Sequence, residues 1–148
     1  MSEAHAATHR LDALHRRAWL ALCAVFALHI ADEALTGFLG LWNPAVLAIR
    51  RRHPWLIVPA FSFAVWIVLM ILAVAGLLIL SHWVRRGLRW TVYASYIFVF
   101  LMLGNALPHL GFSIYKKMWM SGAYTSPLLV AASIYLWWAT ARRSPYNS

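Results

Sequence analysis

The chain has 148 residues, 63% of them hydrophobic and 11% charged, with a net charge of +9. That is one domain's length with too little polar surface to cover a water-soluble globule. The basic residues lie between long apolar blocks, at Arg50-Arg51-Arg52, Arg85-Arg86, Lys116-Lys117 and Arg142-Arg143, which suits anionic lipid headgroups and argues against a nucleic-acid-binding face.

In chain order, residues 1–17 come first, as an amphipathic segment with helical spacing, expected to lie on the membrane surface. Its His5, His9 and His15 read as solvated residues on a basic face, with metal ligation the lesser alternative. Residues 18–141 then form the transmembrane domain, in four apolar blocks each near the ~20 residues that a spanning helix needs. These are about Ala18–Leu41, Ile57–Leu80, Leu88–Phe112 and Ser121–Thr140. The first block is too long for the apolar core of a signal peptide, because its apolar character resumes after Glu33. Pro44 and Pro54 punctuate the linker "NPAVLAIRRRHPW", which is expected to run along the interface. Tryptophans mark most block edges, where indole rings favour the membrane–water boundary. Residues 142–148 are a short tail. Cys23 is the single cysteine, so the chain forms no internal disulfide.

The fold class expected is therefore all-α: a polytopic membrane protein with a bundle of four transmembrane helices. Four spans put both termini on one side. That side carries Arg10, Arg16, Arg17, Arg85, Arg86, Arg89, Arg142 and Arg143, against Arg50, Arg51, Arg52, Lys116 and Lys117 opposite. The positive-inside rule then favours a plasma (inner) membrane protein with cytoplasmic termini.

Inside the first block stands "LHIADEALTGF", residues 28–38. An aspartate near a helix centre costs roughly 2.5–3.5 kcal/mol to insert, so such groups persist where they face partners in the bundle. His29 and Glu33 are four residues apart and share a face; Asp32 flanks it and Thr36 lies on it. The third block supplies Asn105 and His109, again four apart. Thr91, Ser95, Phe98 and Met102 continue that stripe toward the helix start. Counting ~1.5 Å per residue from the block edges makes Glu33 and Asn105 nearly level, in the membrane half opposite the termini. Pro108 removes a backbone donor beside His109 and is expected to kink the helix.

The pair of motifs, His29-Ile-Ala-Asp32-Glu33 followed by Asn105-Ala-Leu-Pro-His109, resembles the HXXEE domain family. That family is defined by a histidine–x–x–glutamate–glutamate motif and a later asparagine–x–x–x–histidine motif. One position departs from the pattern: Asp32 stands where the family has glutamate. The resemblance runs from the first block to the fourth and implies a small integral membrane enzyme, with no reaction attached.

Three functional readings arise. In the first, His29, Glu33 and His109 ligate a divalent metal, with Asp32 or Asn105 completing or orienting the site. This nitrogen–oxygen set suits zinc, iron or manganese better than copper(I). A di-iron carboxylate bundle needs about four carboxylates, and only two acids lie in the membrane here; a bis-histidine haem is a minor reading. Without a metal, Glu33, Asp32 and Asn105 are candidates for acid–base catalysis. The substrate expected is a lipid or another apolar molecule. In the second reading the residues relay protons in a transport component. In the third they form a structural network in an accessory subunit, although interhelical polar bonds contribute only ~0.6 kcal/mol on average. Membrane lipids are the partners expected; the sequence does not set the oligomeric state.

Overall fold

The computed structural model describes the backbone of residues 3–143 and the side chains of residues 9–143. Five helices and no strand occur among the described residues: α1 (Glu3–Thr36), α2 (Leu39–Arg52), α3 (Phe63–Arg85), α4 (Trp90–Lys116) and α5 (Ser126–Arg143). Three are long and apolar enough to cross a membrane: His9–Thr36 within α1, and the whole of α3 and α4. The block expected to be a fourth span is α5. It has 18 residues, the last two of them Arg142 and Arg143, and it is not among the three.

No glycine or proline falls between Glu3 and Thr36, so nothing interrupts α1. The segment read as a separate surface helix is its first turns. His15 corrects the expectation of a solvated residue: it is fully buried. His5 lies outside the described side chains. At its other end α1 stops earlier than the apolar pattern suggests. Gly37 takes φ +78°, and the Phe38 N–H donates to the Glu33 carbonyl at 3.0 Å. This is a Schellman termination, which needs a left-handed residue that glycine supplies at little cost.

The interfacial linker expected here contains a helix, α2, with Pro44 inside it. Asn43 fixes it to the returning chain: its amide donates to the Phe61 carbonyl at 2.8 Å and accepts from the Phe61 N–H at 3.0 Å. Trp42 donates to the Pro59 carbonyl at 3.0 Å. Residues 53–62 contain Pro54 and Pro59 and are not helical until Ser62 caps α3 by accepting from Val65 N–H. Hence α3 begins six residues later than its apolar run. It packs on α1, where the Trp19 indole donates to the Leu77 carbonyl at 3.3 Å. Its remaining faces are mostly exposed, as suits a helix against lipid.

Helix α5 packs against both α1 and α4. Ser126, Ser133 and Thr140 recur at seven-residue spacing on its buried face. Each hydroxyl donates to the carbonyl four residues earlier, at 2.7 Å. Such back-bonding satisfies the hydroxyl locally, within α5 for Ser133 and Thr140 and onto the preceding turn for Ser126, and small residues let helix backbones approach. Around it, Leu129 and Leu136 join Trp19, Leu22, Phe26, Phe98 and Met102 in one core. The α4 stripe proposed from the sequence faces inward: Thr91, Ser95, Phe98 and Met102 are all buried. Pro108 lies within α4 without ending it.

The end of the bundle near the termini is closed by a polar cluster. Arg143 Nε donates to Asp12 Oδ1 at 2.6 Å, and its Nη1 lies 3.2 Å from His15 Nδ1 and 3.3 Å from Thr91 Oγ1. His15 Nε2 lies 2.8 Å from Ser95 Oγ, which itself donates to the Thr91 carbonyl. The serine proton is thereby committed. His15 must donate from Nε2 and accept from Arg143 at Nδ1, so both ring nitrogens are satisfied.

Candidate functional site

At the opposite end, His29 is fully buried and Glu33 is 4% exposed. Helix α4 brings His109 to them. Its Nε2 stands 3.0 Å from Glu33 Oε1, while His29 Nε2 stands 3.6 Å from the same oxygen. The two imidazoles lie edge to face with centroids 5.2 Å apart. The structure thus brings together the three residues that the sequence pattern singled out. The expected level differs: Glu33 meets His109, not Asn105. Asn105 lies half-buried a turn earlier in α4 and takes no part in the site's hydrogen bonds. Block edges are a poor ruler here, because α1 and α4 both begin away from the limits of their apolar runs.

The turn joining α4 to α5 orients both histidines. His109 Nδ1 donates to the Ser121 carbonyl at 2.6 Å. This bond depends on Gly122, which has φ +77° and presses against the imidazole. A Cβ there would fall 2.9 Å from His109 Nδ1 and Cε1, closer than the atoms allow. On the other side, Asp32 Oδ2 accepts from the Thr125 hydroxyl at 2.9 Å and from the Thr125 backbone N–H at 3.0 Å. Asp32 therefore anchors the turn just before α5, where a negative charge also suits the helix dipole. With its proton given to Asp32, Thr125 Oγ1 accepts from His29 Nδ1 at 2.8 Å. Thr36, Ser121 and the Glu33 carbonyl add hydroxyl bonds that tie the turn to the end of α1.

These partners fix the tautomers. A carbonyl accepts only, so His109 carries its proton on Nδ1; the relay from Asp32 through Thr125 does the same for His29. Each ring then directs its Nε2 at Glu33 Oε1. At His109 a lone pair meets a carboxylate oxygen at 3.0 Å, which is repulsive unless a proton or a cation lies between them. His29 Nε2 is buried with no hydrogen-bond partner. An unpaired buried polar atom typically costs about 1–3 kcal/mol, and such atoms in native proteins call for an explanation.

The donor set fits a metal ion. Ligand atoms of His29, Glu33 and His109 all lie within 4.8 Å of one another. Tetrahedral ligation at about 2.0–2.1 Å would separate donors by roughly 3.3 Å; two of the three edges, from Glu33 Oε1 to each Nε2, are 3.0 and 3.6 Å and bracket that value. The Asp32–Thr125–His29 relay and the Ser121–His109 bond are the kind of outer partners that hold ligating histidines in register.

Sequence reasoning singled out Asp32 without its role and missed Thr125, Ser121 and Gly122 altogether. A signal for Thr125 was present: two hydroxyl residues before Pro127 mark a helix start, which would have placed polar groups at this end of α5.

A family model described as proteins of unknown function with an HXXEE motif matches residues 19–136. No curated protein and no solved structure matches the chain. The matched region is most of the chain and includes every residue of the site.

Proposed function

We propose that this chain, which belongs to the HXXEE family, is an integral membrane enzyme holding one divalent cation, zinc, iron or manganese, through His29 Nε2, Glu33 Oε1 and His109 Nε2. The observation that carries this reading is a pair of histidines, each held at Nδ1 by an outer hydrogen bond, that aim their Nε2 atoms at one buried carboxylate oxygen, the Nε2 of His29 having no hydrogen-bond partner. Three protein ligands are also the number found in catalytic zinc sites, where structural sites use four. A cation bound there would supply Lewis acidity. The chain's own residues do the rest. Asp32 and Thr125 fix His29, Ser121 and Gly122 fix His109, and burial excludes bulk water. The substrate is a lipid or other apolar molecule reaching the site from the bilayer.

In this reading α5 is the fourth span, completing a bundle whose termini share the cytoplasmic face. Eighteen residues rise ~27 Å as a helix, close to the ~30 Å hydrocarbon thickness. Packing against two of the three apolar helices supports that placement.

The test is elemental analysis of the protein purified in mild detergent, with cobalt(II) absorption as a second readout. About one metal per chain, lost in His29→Gln and His109→Gln while the helical content survives, is the result expected. Wild type and variants alike at background would overturn the metal centre. The 3.0 Å contact between His109 and Glu33 would then have to be a shared proton, favouring the proton-coupled transport component.

A further inference from the structure

Beside Glu33 the fold leaves an opening. A pocket of about 90 Å³ has Glu33 at one wall and Gly37, Phe38, Gly40, Phe63 and Trp66 among its others. It lies where α1 ends, α2 begins and α3 starts. Phe38 lines the pocket too, with its ring 5.7 Å from His109, 5.9 Å from Trp66 and 5.8 Å from Trp42. Glu33 is the only charged residue of the lining. The outer rim is Phe63, 55% exposed, on the helix whose surface is the most apolar and least covered of the bundle.

We infer that this pocket is the port through which a linear alkyl chain passes from the bilayer to Glu33, so that the ligand is a long-chain lipid or fatty acyl compound. The inference rests on the site reading above for what happens at Glu33. The occupant follows from three features. The walls offer apolar and aromatic surface, which selects hydrocarbon. The rim opens beside the lipid-facing surface of α3, so the bilayer itself is the reservoir. The pocket is small: about 90 Å³ holds on the order of three groups of water's ~30 Å³ size, which suits an unbranched chain and is too little for a sterol ring system. Gly37 and Gly40 contribute no side chain to the lining, and a Cβ at Gly40 would meet nothing within 4 Å.

Gly40 provides the test. Its φ is not in the left-handed region and its Cβ direction is empty, so Gly40→Trp adds a large side chain at the pocket wall without crowding the backbone. The full chain would be placed in phosphatidylcholine nanodiscs with a long-chain fatty acid bearing an alkyl diazirine, irradiated, and mapped by mass spectrometry. Wild type should carry adducts between Glu33 and Gly40. Losing room for two methylenes or more should lower those adducts about tenfold in Gly40→Trp, while adducts on the exposed face of α3 stay unchanged as the internal control. Gly40→Leu makes the same test with a smaller side chain should the tryptophan variant fail to fold; Gly40→Ala should label like wild type. Absence of adducts at Glu33–Gly40 in wild type, or equal labelling in wild type and the filled variants, would overturn the port. Metal content of the same samples separates the two ideas. Gly40-dependent labelling in a protein without metal leaves the port standing and removes the metal centre.

Discussion

His15 and His29 lie on one helix, fourteen residues and therefore nearly four turns apart, and both are fully buried. Each bonds a hydroxyl from outside α1 at 2.8 Å, Ser95 for one and Thr125 for the other. The difference is at the second nitrogen. His15 Nδ1 receives Arg143, whose charge is matched by Asp12, whereas His29 Nε2 has no partner and faces Glu33 across 3.6 Å. A histidine with both nitrogens engaged is a structural joint. One with an unpaired nitrogen held toward a carboxylate and a second imidazole is what the proposed metal site needs. Ser95 beside His15 has the look of a nucleophile with its base, but His15 donates to that serine and cannot take its proton.

The largest test of this contrast is Glu33→Gln. At the ligand site it removes the charge and keeps the shape. Metal affinity should fall by about a hundredfold or more, the upper part of the range already seen for outer partners. Thermal stability in detergent should hold or rise, because burying an amide costs less than burying a carboxylate. Loss of stability with metal content unchanged would reduce the site to a second joint. Thr125→Val comes next. It cuts the relay between Asp32 and His29 without touching a donor atom, and metal affinity should drop ~10–100-fold, measured by competition with a chelator.

The opposite end should behave in the opposite sense. His15→Phe keeps the volume and leaves Ser95 bonded to the Thr91 carbonyl, but strands the Arg143 N–H. Stability should fall by about 1–2 kcal/mol, read as a lower melting temperature, with metal content untouched. A shared loss at both ends would mean that the two clusters are coupled through α1 and that the contrast drawn above is false.

What was legible in the sequence is what helical spacing determines. His29 and Glu33 four apart, and the stripe from Thr91 through Met102 to His109, needed only the period of 3.6, and both face inward. What was not legible came from chain reversals. Thr125 reaches Asp32 only because Gly122 lets the α4–α5 turn lie on the His109 ring. Phe38 comes to lie against Trp66 and His109 only because Gly37 ends α1. The burial of His15 was hidden for a different reason. Its neighbours are charged, and the arginine that accounts for it is 128 residues away. Helix α2 was hidden by Pro44, which the local sequence presents as a breaker and the structure accommodates.

The smallest effects separate the two motif residues whose roles the pattern left open. Asp32→Asn keeps an oxygen for the Thr125 N–H and hydroxyl, so the relay survives. It loses the charge at the start of α5, worth about 0.3–1 kcal/mol, and metal content should change less than in Thr125→Val. Asn105→Leu should do least. Its amide is half-buried, one turn from His109 and outside the hydrogen bonds of the site, so removing it leaves each ligand and each outer partner in place. An apolar side chain at that depth also relieves the helix of an unmatched polar group. Metal content should therefore stay at the wild-type value and the melting temperature should hold or rise. A tenfold loss of metal in Asn105→Leu, against no loss in Asp32→Asn, would reverse the two roles. The asparagine would then be a partner of the bound ion, and Asp32 merely the tether of the α4–α5 turn.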